Sequence, residues 1–277
     1  QRREGVELTM RWSDTTPRKF TYEVGFNMTY FNSLWKVKAD EALSDLMNPY
    51  KRQTHQTDYY GLGYIDTGLY QNKEDILNSP RRLGSTQTKL GDIGYTDVNG
   101  DGKIDGEDQV RIGKPTMPHF TYAFDFSLGY EGFTLSGLLY GTGERYMTFG
   151  NRYQSGEGKY LYYENQLNYW RPDNTGADFP RISISSGVNG NNNKAGSTFW
   201  MRNASYLRLK DLQLSYDFKY KYLKKCDWLQ TCRVNLSGSN LFTISGVSKF
   251  FDPETSSTSG DGYPVQRVYS IGVTIGF

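Results

Sequence analysis

The sequence predicts an all-β chain: an antiparallel transmembrane β-barrel segment of about eight strands with long loops on one side. Three observations carry this. Several stretches alternate strictly between large apolar and small or polar residues. The final stretch alternates to its last residue and stops on an aromatic. Long irregular connections take turns with short ones along the chain.

The first strand covers residues 5–13, with Val6, Leu8, Met10 and Trp12 on one face and Glu7, Thr9, Arg11 and Ser13 on the other. A polar turn with Pro17 follows, its φ preset by the ring. Residues 20–31 form the second strand: Phe20, Tyr22, Val24, Phe26, Met28 and Tyr30 oppose Thr21, Glu23, Gly25, Asn27 and Thr29. Period two puts each set on its own face. Arg11 and Glu23 fall on the small face, which suits a wet lumen and not a dry core.

Alternation then disappears from 32 to 118, apart from one helix expected over 40–47. A structureless run of this length is foreign to a compact soluble domain. Residues 120–130 and 133–141 form a hairpin across Glu131 and Gly132. A second irregular region runs to 202 and includes the low-complexity Gly187-Val-Asn-Gly-Asn-Asn-Asn193. Over 206–218 the phase slips once at Lys210 and Asp211, predicting a β-bulge. A basic turn with one expected helical turn at 222–225, a strand over 233–242 and a loop from 245 lead to the last strand. There Tyr269, Ile271, Val273, Ile275 and Phe277 alternate with Ser270, Gly272, Thr274 and Gly276. With the C-terminus on the periplasmic side, the loops at 32–118, 142–205 and 243–264 all fall outside. The short turns all fall inside.

Composition limits the alternatives. The 277 residues carry net charge +2, are 16% aromatic, and have a mean hydropathy of −0.69. No run reaches the roughly 18 apolar residues of a membrane helix, a test to which alternating strands are invisible. The 23 Tyr, 15 Phe and 5 Trp suit aromatic girdles, and equally sandwich cores or sugar-binding surfaces. Balanced charge gives no case for nucleic acid. No signal peptide precedes the first strand, so the chain is expected to be a processed piece or a fragment. Cys226 and Cys232 could pair or stay as thiols.

The sharpest chemical motif runs from Asp97 to Asp108. Oxygen side chains stand at positions 1, 3, 5, 9 and 12 (Asp97, Asn99, Asp101, Asp105 and Asp108), with Gly102 at the sharp turn and the Lys103 carbonyl at position 7. Hard cations gather oxygens at this spacing, so a structural Ca²⁺ is expected in an external loop. Asp in place of Glu at the last position shortens its reach. A solvated acidic turn without metal is the plainer alternative. No catalytic constellation is present: His55 and His119 are far apart in sequence, and the hydrolase and phosphate-loop motifs are missing. Tyr162, Tyr163, Tyr169, Trp170 and Trp200 could stack on a ligand, or pack within the loops.

Several ordered motifs then resemble one family. They are Gly5-Val-Glu-Leu-Thr9; Asn48-Pro-Tyr-Lys-Arg52; residues 91–105 with Ile112-Gly-Lys-Pro115; Tyr169-Trp-Arg-Pro-Asp-Asn174 with Phe179-Pro-Arg181; Ser205-Tyr-Leu-Arg-Leu-Lys-Asp-Leu212; Gly238-Ser-Asn-Leu-Phe-Thr243; and Phe251-Asp-Pro-Glu254. The chain resembles the C-terminal barrel portion of SusC-like TonB-dependent outer-membrane transporters of Bacteroidota (the SusC/RagA family). The resemblance implies a 22-stranded barrel whose N-terminal strands and plug domain lie outside this sequence. It implies TonB-dependent import of glycans or peptides with a SusD-like surface lipoprotein, and energy from TonB-ExbB-ExbD reached through the missing N-terminal part. It also implies that the Tyr269 to Phe277 stripe addresses the outer-membrane assembly machinery. The competing expectation is a soluble secreted glycan-binding β-protein with a structural calcium loop.

Overall fold

Alternating stretches pair with their neighbours in sequence order, because each short turn returns the chain antiparallel beside itself. In the computed structural model these are β1 (Arg2–Thr15), β2 (Thr21–Trp35), β3 (Phe120–Tyr130), β4 (Phe133–Gly143), β5 (Tyr206–Asp217), β6 (Thr231–Ser245) and β7 (Val268–Gly276). The structure describes all residues except 58–60, 114–116, 155–161, 184–187, 256, 257, 260, 261 and 264, and only the backbone at 151, 188 and 190. Among the described residues these strands form one antiparallel sheet in chain order, and the two-residue Gln56–Thr57 beside β2 is its eighth member.

Register sorts the side chains as the alternation requires. One row reads Met10, Phe26, Phe124, Leu139, Leu209 and Phe242 across six strands. The opposite face carries Arg11, Glu23 and Asp125, with Arg11 2.6 Å from Glu23 and 3.4 Å from Asp125. These partly exposed pairs add little stability. Their meaning is that this face is wet. Gly25 lies beneath Asp125, where a Cβ would collide with the carboxylate.

The predicted bulge is present. Leu138 and Leu139 face Asp211 and Leu209, leaving Lys210 as the extra residue of β5. The Glu131–Gly132 turn has positive φ at both residues, 48° and 86°, as a tight hairpin demands. Strand ends run beyond expectation, most clearly in β6. The helical turn expected at 222–225 is instead a 3₁₀ turn at Phe218–Tyr220, and the first helix is shorter, Leu43–Met47.

The larger departure concerns the long connections. Regions without alternation fold together at one end of the sheet into a lobe. Short pairs organise it: Gly61–Gly63 with Val110–Ile112, Asp66–Leu69 with Ile93–Tyr95, and Tyr146–Thr148 with Met201–Asn203. Its core joins Tyr64, Ile93, Tyr95 and Ile104 from the first connection to Phe149, Tyr153, Phe179 and Trp200 from the second. Phe250 and Phe251 from the third pack against them, and Phe149 meets Phe250 edge-on at 4.8 Å.

Candidate functional site

The lobe is the packed part of the chain outside the sheet, so its construction defines the candidate site. Two buried ionic hubs hold it. Asp92, 0% exposed, receives Arg181 Nε at 2.6 Å and Nη2 at 3.3 Å. Asn189 and Asn193 each donate to it at 3.0 Å, and the Lys89 amide donates at 2.9 Å. A buried carboxylate is tolerable because every acceptor position is filled. Asn192 donates to the Ile93 carbonyl, and the Ile93 amide donates to Asn193. Asn189 and Asn191 have φ of 52° and 57°, which asparagine tolerates better than most residues. The low-complexity asparagines are therefore the rivet between two loops. Gly187 at the head of that stretch lies outside the described residues.

Arg208, 1% exposed, forms the second hub at the lobe end of the sheet. It donates to Asp252 at 2.5 Å, Glu254 at 2.8 Å and the Thr243 hydroxyl at 2.9 Å. Tyr206 donates to the same Glu254 at 2.7 Å. This ties the third connection to β5 and β6. Beside it a cavity of about 490 Å³ is lined by Lys249, Phe250, Tyr263 and Arg267.

The five aromatics singled out from sequence separate by burial. Trp200 is 0% exposed in the lobe core, and its Nε1 donates to the Asn193 carbonyl at 2.8 Å. Trp170 is buried over Gly91, where a Cβ would meet its ring, and donates to Gln71 at 2.9 Å. Neither offers a ring face to a ligand, so for these two the stacking expectation is corrected: they pack the lobe because its core needs large apolar bodies. Tyr163 and Tyr169 are half-buried against the same core. Tyr162 is exposed.

In the Asp97 to Asp108 loop, side chains fold back on their own backbone. Asp97 accepts from the Gly100 and Gly102 amides at 2.6 and 2.7 Å, and Asn99 from Asp101 at 3.0 Å. Asp101 accepts from Lys103 at 2.9 Å and Asp105 from Glu107 at 2.8 Å. Asp108 is buried and accepts from Val98 and Asp105. Desolvation would raise the Asp97 pKa, but the Gly102 and Gly100 amides outweigh it and hold the carboxyl below its usual range. No three acidic, histidine or cysteine side chains converge on one point among the described residues. The donors are of the right type, but their oxygens are turned to the loop's amides. Lys114 and Pro115 of the neighbouring motif lie outside the described residues. The terminal stripe Tyr269, Ile271, Val273, Ile275 and Phe277 lies on the apolar face of β7, whose outer edge has no described partner strand.

A two-faced sheet with short turns at one end and a loop lobe at the other defines the wall of an outer-membrane β-barrel. Comparison narrows the class. No family model matches the chain. It is 26% identical over 99% of its length to TonB-dependent receptor P3 of Formosa agariphila, and 26% identical over 76% to TonB-dependent receptor P26 of the same organism. It covers 28% and 22% of those relatives, so it spans about a quarter of their length. It superposes on the RagAB peptide transporter with a TM-score of 0.72 at 21% identity, over 99% of this chain and 29% of that one. The RagAB peptide importer in its open-open state gives 0.68. The homologues are thus TonB-dependent receptors, as the motifs suggested, and they are receptors and transporters rather than enzymes. The chain has the fold of part of the RagAB transporter barrel, and that outer-membrane barrel fold displaces the soluble secreted alternative.

Proposed function

We propose that this chain forms part of the wall and outer rim of a TonB-dependent importer of glycans or peptides. Plug, remaining strands and TonB contact are assigned to other parts of a longer protein. A SusD-like lipoprotein would seat on the loop lobe. The observation that carries this reading is the union of a two-faced sheet with a packed lobe at the end opposite the short turns. An ordered lobe offers a fixed surface to a partner or cargo, which unstructured loops do not. Uptake of a labelled oligosaccharide mixture and a labelled oligopeptide mixture should be compared in cells with and without the gene, and with TonB disabled. Loss of one uptake in both backgrounds is expected and names the cargo class. Unchanged uptake of both overturns the reading.

We also propose that the loop takes Ca²⁺ through Asp97, Asn99, Asp101, Asp105, Asp108 and the Lys103 carbonyl. The donor types and spacing support this. Calorimetric titration of the intact protein should show binding that Asp101→Ala weakens at least tenfold; equal heats from both would refute it.

A further inference from the structure

We propose that the turn joining β5 to β6 is a docking site for anionic phospholipid headgroups in the inner leaflet of the outer membrane. The inference rests on the barrel reading and concerns the end away from the lobe. The three short turns carry six cationic side chains (Arg18, Lys19, Lys219, Lys221, Lys224 and Lys225) against two acidic ones, Glu131 and Asp227. Four of the six fall on this one turn.

The turn is folded over the apolar face and not over the lumen. Tyr222 packs edge-on against Tyr216 at 6.2 Å, and Tyr216 shares its face with Leu212 and Leu214. Trp228 stacks on Phe277 at 5.7 Å with the rings within 12° of parallel, and Phe277 continues the apolar stripe of β7. The Gln230 amide donates to the Gly276 carbonyl at 2.8 Å, pinning the turn to the last strand. Lys219 is spent inside the turn, its ammonium donating to the Cys226 carbonyl at 3.2 Å and to the Leu229 carbonyl. Lys221, Lys224 and Lys225 remain exposed, with no carboxylate partner among the described residues. Lys221 sits 6.0 Å over the Tyr222 ring.

Amphipathic rings such as Trp and Tyr settle at headgroup depth, so Tyr222 and Trp228 fix the turn at that level. The three lysines then stand where the phosphates lie. Each lysine near an anionic surface adds its own attraction to the headgroups. The occupant is chosen by this continuity of apolar face, ring and ammonium. A free anion in the periplasm would need no ring anchors, and a basic peptide would be repelled.

The test uses the intact receptor in nanodiscs of phosphatidylcholine alone or mixed with phosphatidylglycerol. Native mass spectrometry reads the lipids retained after detergent release. The wild type should keep phosphatidylglycerol preferentially. The combined Lys221→Gln, Lys224→Gln and Lys225→Gln variant should lose about tenfold of that preference. The matching Lys→Arg variant should keep it, and so should Lys36→Gln, Lys38→Gln and Lys73→Gln together, which removes equal charge from the lobe end. Unheated-gel mobility confirms that each barrel is folded and inserted, which separates failure of this inference from failure of the barrel reading. Equal retention of both lipids by folded wild type, or an unchanged preference in the Lys→Gln variant, overturns it.

Discussion

Asp92 shows how much a single side chain can organise. Its carboxylate joins Arg181 from the second connection to the Lys89 amide in its own. Removing one member of a buried charged pair strands the other, at a cost of about 3–5 kcal/mol. Arg181→Ala should therefore open the lobe to protease while the sheet stays folded in detergent. Limited proteolysis followed by unheated-gel mobility reads both. Arg181→Lys should fall between, since an ammonium cannot reproduce the two-pronged contact. Trp200→Ala removes the most enclosed ring of the core and should destabilise the lobe by about 3–5 kcal/mol. Thermal melting of the lobe, followed through tryptophan fluorescence, checks this. At this scale the sequence was legible only in part. Trp170 and Trp200 read as candidate stacking surfaces because composition does not distinguish an enclosed ring from an open one. Asn189, Asn192 and Asn193 read only as low complexity, because their value lies in partners about 100 residues away in sequence.

Among the elements, the strands were legible and the lobe was not, for one physical reason. A strand between lipid and water must alternate, so its pattern is local and survives any tertiary context. The lobe is held by non-local contacts between segments without period, which leave no local trace. Where the phase slips, the bulge at Lys210 keeps Leu207 and Leu209 on the same face as Leu212 and Leu214. Face, and not strand length, is thus what insertion should read. Deleting Lys210 leaves a continuous alternation from Leu207 to Leu214 and should preserve membrane insertion. Adding one alanine between Leu212 and Gln213 reverses the faces upstream of it and should abolish insertion. Membrane fractionation and heat-shifted gel mobility of both variants decide this.

For the whole molecule, the sheet is open. β1 and β7 each have one neighbour among the described residues, and both are exposed along their length. Unpaired edges recruit other strands. The 277-residue chain refolded alone in detergent should give heterogeneous oligomers by light scattering, whereas the intact receptor should run as a discrete species. Deleting Phe277 from the intact receptor should also lower its membrane level, measured by quantitative blotting of the outer-membrane fraction. That loss would follow from the apolar stripe of β7 and its stack on Trp228.

The shared core of the three connections has a consequence in time. Phe149 needs Phe250 and Phe251 before its packing is complete, and Asp92 needs Arg181 from 89 residues downstream. Contacts this distant in sequence form slowly, because chain closure must precede any gain from them. The lobe therefore cannot mature hairpin by hairpin as the sheet does. It packs fully only once its third connection stands beside the first two, so the rim is expected to set later than the hairpins of the wall.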